Sequence, residues 1–385
     1  MSGSLRVAIC GGGNLAHALA AVVGAVPGFN VRVLTRRPQP WKSTVRAVHG
    51  DVVVEGSVHA TSDPGAAVAG AELVIVAAPA YAHAEIITAI APHLHPEAWL
   101  GALPAVGGFD HVVRSAAPSR PRAFGSLRSP YNARIVRRGS IVEVTGVVPR
   151  IDLVTSHPEE LHCLEALLRE ALGLPLRTVE PFIAATLSPG STIFHPSRLY
   201  ELCTQDPAVR TKSFYGSWGR IASETYLDLD RELTALRSAL GIDLPGIGAK
   251  EHYGTDEPEM LTRRIRGLKG LPSVKAPFHF ESRVLDTAHR FVQEDLPYGL
   301  AVVERVATLA GVPGPTMSRV LQTLRAGANC EAGIALKLPE RLSSLTLREW
   351  LHDRSGSPTM AERTRSKRTA GAALPGRGCA GESLP

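Results

Sequence analysis

One stretch near the N-terminus decides the fold: Leu5-Arg6-Val7-Ala8-Ile9-Cys10-Gly11-Gly12-Gly13-Asn14-Leu15-Ala16. Leu5 to Cys10 is a short apolar run of β-formers and predicts a strand. Three glycines stop it. The Ala-, Leu- and Val-rich segment from Asn14 to about Gly24 predicts a helix, and Asn30 to Thr35 predicts a second strand. Strand, glycine turn, helix and strand within about 30 residues make a βαβ unit. The turn also fits the pattern G-x-G-x-x-G/A. Gly11 allows the sharp exit from the strand, Gly13 lets backbone approach a pyrophosphate, and Ala16 is small enough for close helix–strand packing. A merely structural turn could carry the same residues. The place of this one, after a strand and at the start of a helix, favours dinucleotide binding by Gly11, Gly13, Asn14, Leu15 and Ala16.

The residues just beyond bear on which dinucleotide. NAD-binding units usually end the second strand on a carboxylate that holds the ribose diol, about 20 residues past the glycines. Here that place falls at Thr35, and no Asp or Glu occurs before Asp51. Arg36 and Arg37 follow instead. A guanidinium pair can clamp a 2′-phosphate, so NADPH is expected in preference to NADH, with Thr35, Arg36 and Arg37 in its site. The plain alternative is a pair of solvated loop charges. Farther on, Leu73 to Ala77 reads as a buried parallel strand. The loop Ala78-Pro79-Ala80 at its carboxyl end places Pro79 where a nicotinamide ribose would lie.

Strand and helix patterns alternate to about residue 180, through Val52–Glu55, Trp99–Leu103, Ile141–Gly146, Ile151–Val154, a helix Pro158–Leu172 and Arg177–Val179. This predicts an α/β fold: a Rossmann-type, doubly wound parallel sheet in residues 1–184. After Pro189-Gly190 the pattern turns helical, with helices at Ser217–Ala239, Leu300–Ala310, Thr316–Leu324 and Leu345–His352. An all-helical catalytic domain is expected over residues 185–352, and a basic, disordered tail over 353–385. The chain is 44% hydrophobic and 20% charged, which excludes a disordered or collagen-like chain. Of the net charge of +6, +4 comes from Arg354–Pro385, where six basic residues oppose two acidic ones. The rest is nearly balanced, so nucleic acid is not an expected partner. Glu72, Glu85 and prolines interrupt the most apolar stretch, Ala71–Ala91, so no membrane span is expected. Five scattered cysteines with no Cys-x-x-Cys pair give no metal site and suit a reducing, cytoplasmic compartment.

His195 lies at the junction of the two domains, fixed by Pro196, and Asp295 stands in Arg290-Phe291-Val292-Gln293-Glu294-Asp295-Leu296-Pro297-Tyr298-Gly299-Leu300. Histidine exchanges protons near neutral pH, and a carboxylate can orient and charge-stabilise it. Taken singly, a structural histidine, a helix-capping Asp295 and an ordinary ion pair at Arg290 are the plain readings.

Five segments in order resemble the opine dehydrogenase family, which includes octopine and nopaline dehydrogenases and bacterial enzymes that build metal-chelating opines. They are Gly11–Ala16, Leu103–Phe109 (LPAVGGF), Ser129–Arg134 (SPYNAR), Ile193–Pro196 (IFHP) and Arg290–Leu300. The resemblance spans roughly residues 5–330. It implies a proton-relay dyad of His195 and Asp295 and a carboxylate contact by Arg290. It also implies a position four residues before the histidine, often Asn in the family and here Ser191, that faces the substrate. Arg134 is a second candidate for a substrate carboxylate. The implied reaction is a reductive condensation: an amino-acid amine adds to an α-keto acid, water leaves to form an imine, and NAD(P)H reduces it to a secondary amine dicarboxylate. The small-molecule partners would be that amino acid and keto acid, and a homodimer is the assembly to test for. Tyr298, Phe214, Tyr215 and Trp218 are candidate pocket walls, with core packing the better reading for most. Two alternatives stay open. One is a two-domain NADPH-dependent 2-keto acid reductase without amine condensation, although such enzymes more often use Lys as the acid. The other is a non-catalytic dinucleotide sensor.

Overall fold

In the strand Leu5–Cys10 (β1), Val7 and Ile9 face one side of the sheet and Ala8 and Cys10 the other, each against its own apolar cluster. A strand buried on both faces must be covered by helices on both. The computed structural model describes residues 4–117, 119, 121–205, 213–244, 246–268, 274–279, 284–326 and 340–351. The helix Asn14–Gly24 (α1) leads to β2 (Phe29–Leu34), β3 (Thr44–His49) and β4 (Val52–Thr61). Then come α2 (Pro64–Val68), β5 (Leu73–Val76), α3 (Ala80–Ile90), β6 (Trp99–Ala102), α4 (Phe109–Ala116) and β7 (Arg122–Ser126). Next are β8 (Tyr131–Arg137), β9 (Ile141–Val147), β10 (Ile151–Thr155), α5 (Leu161–Leu172) and β11 (Leu176–Thr178). The sheet order is β11-β10-β7-β6-β5-β1-β2-β4-β3-β9-β8.

From β7 through β6, β5, β1 and β2 to β4 all neighbours are parallel. The chain leaves β1 for β2 on one side and later returns to β5 on the other. The strand order therefore reverses between β1 and β5, and ligands bind outside the carboxyl ends of strands at such a point. Antiparallel pairings of β3 with β4, β8 with β9 and β10 with β7 make the sheet mixed at both flanks, a departure from the expected parallel sheet. Sequence patterning does not mark β3, β7 and β8. The burial of β3 and β8 alternates, with Arg46 and Arg134 facing out, whereas parallel-core strands read as continuous apolar runs. In β7 the small residues Gly125 and Ser126 are weak strand formers held by burial.

The β3, β9 and β8 end of the sheet wraps over α1. Ala16, Ala18, Leu19, Ala20, Ala21 and Val23 are all buried, a helix enclosed nearly all round. Each large side chain such as Leu19 contributes about 1.5–3 kcal/mol to holding this wrap. It also lays the edge strand β8 beside the glycine turn.

The helical part follows: α6 (Gly190–Thr204), α7 (Arg220–Ala239), α8 (Ala249–Tyr253) and α9 (Pro258–Arg266), then α10 (Arg290–Gln293), a π-helical turn (Asp295–Leu300), α11 (Ala301–Leu309) and α12 (Pro315–Ala326). Two short helices, α13 (Glu340–Ser343) and α14 (Leu347–Leu351), end the described chain. It is not entirely helical, since β12 (Phe278–His279) pairs with β13 (Val284–Leu285). The expected tail over 353–385, Cys330 and Cys379 lie outside the described residues. Among the described residues no helix is long and apolar enough to cross a membrane.

Candidate active site

The glycine turn sits at the reversal point of the sheet. Gly11 has φ +148°, and a Cβ there would lie 2.3 Å from the Ala77 carbonyl oxygen at the end of β5. Only glycine fits. Gly13 has ordinary extended backbone, and a side chain at this position would meet nothing within 4 Å. The turn thus leaves an open cradle at the α1 N-terminus, where unpaired amides and the helix dipole favour a phosphate. That space and the small neighbours fit a dinucleotide pyrophosphate. Ala16 is fully buried beneath the turn, and Leu15 packs at the edge of the same cluster. Asn14 has a different partner: its Oδ1 accepts from the Ile135 amide of β8 at 3.0 Å. His17 is buried under the turn. The Gly139 amide donates to its Nε2 at 2.7 Å, so Nδ1 carries the proton and donates to the Gly13 carbonyl at 2.8 Å. Burial lowers its pKa, which keeps it neutral.

Thr35 follows β2 directly and is almost buried; its Oγ1 accepts from the Arg37 amide at 3.4 Å. The side chains of Arg36 and Arg37 are exposed. Pro79 caps α3 in extended geometry, and His83 Nε2, 2.9 Å from the Ala78 carbonyl, braces the same loop. Burial pushes His83 down to about 4, so its ring stays neutral and Nε2–H donates.

His195 and Asp295 meet. His195 Nδ1 lies 2.6 Å from Asp295 Oδ2, and its Nε2 lies 2.7 Å from the Tyr215 hydroxyl. The three residues are 6%, 4% and 5% exposed. Nδ1–H donates to the carboxylate, which leaves Nε2 as the acceptor of the Tyr215 O–H. Burial, reinforced by the Asp295 charge, raises the Tyr215 pKa well above its ordinary value, so the phenol stays protonated. The Phe291 ring stacks on the imidazole at 3.8 Å between centroids. His195 lies inside α6, with Pro196 also within the helix. Asp295 opens the π-helical turn, a distortion common at functional sites. Gly299 in that turn permits close approach to α6, since a Cβ there would be 3.2 Å from Thr192 Cα.

Tyr215 is held by the helix that carries His195. Arg198 donates to the Phe214 carbonyl at 3.0 Å and to Ser217 Oγ at 2.6 Å, and pairs with Glu201 in the interior. Glu201 in turn accepts from the Gly219 amide at 2.9 Å. Sequence reading places Tyr215 as a wall or core residue; its hydroxyl on His195 is a tertiary fact with no local signature. Phe214 and Trp218 are fully buried packing residues.

Glu294 is also missed as a single residue, although it sits inside the Arg290–Leu300 motif. It is 9% exposed, and its Oε1 accepts from the Ala80 amide at the start of α3 at 2.9 Å. This bond ties the helical part to the Pro79 loop. Burial, with the adjacent Asp295 charge, raises its pKa to about 7. Arg290 Nη1 stands 3.7 Å from Glu294 Oε2, its side chain 57% exposed. Arg134 is exposed on β8, with Nη1 on its neighbour's carbonyl, Ala133, at 2.9 Å. The charges of Arg290 and Arg134 both act on Tyr215 and partly offset the rise of its pKa. Ser191 lies one helical turn before His195 and is half-buried.

A family model described as NAD/NADP octopine/nopaline dehydrogenase, alpha-helical domain, matches residues 178–327, the stretch that holds His195, Tyr215, Arg290 and Asp295. Tauropine dehydrogenase of Arabella iricolor is 25% identical over 82% of this chain and 89% of its own length. Octopine dehydrogenase of Mizuhopecten yessoensis is 26% identical over 83% of this chain and 88% of its own. Over its helical domain, and more distantly over most of its length, the chain is thus similar to opine dehydrogenases. Like these relatives it is an NAD(P)-dependent oxidoreductase of the class acting on CH–NH bonds. The family fold is shared as well. A solved octopine dehydrogenase with NADH and L-arginine superposes with a TM-score of 0.72 at 22% identity, over 90% of this chain and 95% of that one.

Proposed function

We propose that this protein is an opine dehydrogenase, coupling an amino-acid amine to an α-keto acid at the expense of NADPH, with His195 and Asp295 as its proton-handling pair. The observation that carries the reading is the buried 2.6 Å contact of His195 Nδ1 with Asp295, which leaves Nε2 as the working nitrogen. In this reading residues 1–184 hold the cofactor and residues 185–352 bring the dyad and the amine pocket. Gly11, Gly13, Leu15 and Ala16 shape the pyrophosphate cradle, and Asn14 fixes its rim. Thr35, Arg36 and Arg37 lie where the adenosine 2′-phosphate is read, and Pro79 borders the nicotinamide ribose. Bound there, a reduced nicotinamide supplies hydride to the imine carbon.

The protein's own part is binding and proton transfer. Arg290 and Arg134 neutralise the substrate carboxylates, and Ser191 borders the reacting centre. The Tyr215 hydroxyl yields Nε2 to the keto oxygen. As the amine adds, Nε2 takes a proton from the amine nitrogen and passes it to that oxygen; a second amine proton follows the same route as the oxygen departs as water and the C=N bond forms, with Asp295 stabilising the transient imidazolium each time.

The test is oxidation of NADPH and of NADH, followed at 340 nm, with a panel of α-keto acids, each with and without amino acids. Turnover that requires both partners, with NADPH preferred, is the expected result. Oxidation with a keto acid alone would replace the condensation by simple keto-acid reduction. Tight dinucleotide binding with no turnover across the panel would favour the sensor.

A further inference from the structure

The glycine turn carries a third guanidinium from a distant part of the chain. Arg138 lies between β8 and β9, and its Nη1 donates to the Gly12 carbonyl at 3.2 Å. On its other flank Gly12 faces Thr35, whose Oγ1 would be 2.7 Å from a Cβ at position 12. Gly12 thus lies between Arg138 and the residue that introduces Arg36 and Arg37.

This placement is built. Ser140 N donates to the Arg137 carbonyl at 3.1 Å and closes the turn. Gly139 at its tip has φ +71°, and a Cβ there would come within 2.3 Å of the Pro40 carbonyl oxygen. Its amide donates to His17 Nε2 at 2.7 Å, and its carbonyl accepts from Lys42 N at 2.9 Å. Arg46 N donates to the Ser140 carbonyl at 2.8 Å. The turn that carries Arg138 is therefore stitched to the first turn of α1 and to the segment that follows Arg36 and Arg37. All three arginine side chains are exposed, so holding like charges together costs little in water, and a dianion would offset the repulsion.

We propose that Arg138 is a specificity-determining residue for the cofactor, joining Arg36 and Arg37 in a three-guanidinium site for the adenosine 2′-phosphate. The assignment rests on the NADPH reading above. A phosphate dianion takes several charge-assisted hydrogen bonds, and planar guanidiniums reaching it from two chain segments are suited to supply them.

The experiment is calorimetric titration of the full chain with 2′,5′-ADP and with 5′-AMP, two probes that differ by the 2′-phosphate and need no turnover. The wild type should bind 2′,5′-ADP more tightly. Arg138→Met should weaken 2′,5′-ADP by about tenfold, the scale of one charge-assisted contact, and 5′-AMP by less than about twofold. Arg138→Lys should recover part of the loss. If Arg138→Met keeps the wild-type ratio while Arg36→Met/Arg37→Met loses it, the Arg138 assignment falls and the NADPH reading stands. Equal weakening of both probes also overturns it, since Arg138 would then serve the turn and not the 2′-phosphate. Equal affinities in the wild type overturn the NADPH reading itself, and this proposal with it.

Discussion

His195 combines three contacts: Asp295 on Nδ1, Tyr215 on Nε2 and the Phe291 ring on its face. Their removal should be graded. His195→Ala should lower kcat by about 10²–10⁴-fold, the range for loss of a general acid–base. Asp295→Asn should cost at least about 100-fold, because the tautomer is no longer fixed. Tyr215→Phe, which removes a group that must in any case yield to substrate, should cost less than about tenfold. Steady-state kinetics with substrate in excess separates the three, and equal losses for all would show that Tyr215 takes part in the chemistry. Glu294 gives a prediction about pH. Its pKa is about 7 in the fold against an ordinary 4.5, so the folded chain binds the extra proton between those values. A group with a raised folded pKa stabilises below its unfolded pKa, and that stability is lost as pH rises through the folded one. Melting temperature should therefore fall between about pH 4.5 and 7, at no more than about 1.4 kcal/mol per pH unit from this group, and Glu294→Gln should flatten that decline. An unchanged slope in the variant would assign the decline to other groups.

At the scale of elements, the strand–turn–helix unit at Gly11–Ala16 is legible in sequence because its chemistry is local. Each small residue answers a steric need within one turn. The pairing of His195 with Asp295 is implied only by the family resemblance of their two motifs, since residues 100 positions apart share no local pattern. The edge strand β8 is not legible: its residues reach the glycine turn only because the sheet wraps over α1, and no period along the chain encodes that wrap. Hence Arg138, Tyr215 and Glu294 escaped while Gly13 and His195 did not. The cradle can be tested alone. Asp is a better helix N-cap than Gly, and Gly13 occupies the N-cap with room for a side chain. Gly13→Asp should leave the melting temperature unchanged or raised, yet place a carboxylate in the cradle proposed for the pyrophosphate. Fluorescence titration should show NADPH and NADH binding weakened together by more than about 100-fold. Retained binding would move the cofactor away from this turn.

At the scale of the molecule, one apolar cluster runs from the sheet face of Val74, Val76, Leu100 and Ala102 into the helices at Leu199, Leu229, Val302 and Leu321. A shared core predicts shared unfolding. Trp41 and Trp99 lie in the sheet-bearing part, and Trp218 and Trp350 in the helical part. With Trp41 and Trp99 replaced by Phe, the remaining fluorescence should report a denaturant midpoint that coincides with far-UV circular dichroism. Two separated midpoints would mean that the halves unfold independently. The sequence marks where helical pattern replaces strand pattern near residue 185, but continuity of the core across that change depends on which faces meet, and composition does not record it.

The π-helical turn at Asp295–Leu300 carries a consequence in evolutionary terms. A π-turn is an α-helix with one residue too many. Loss of the single codon for Pro297, which has no N–H to give the ladder, would let the helix relax towards ordinary pitch and swing Asp295 by about 100° around the axis away from His195. A one-residue in-frame deletion is therefore a second route, beside substitution at His195 or Asp295, to a silent descendant whose dyad residues are both still present in the sequence.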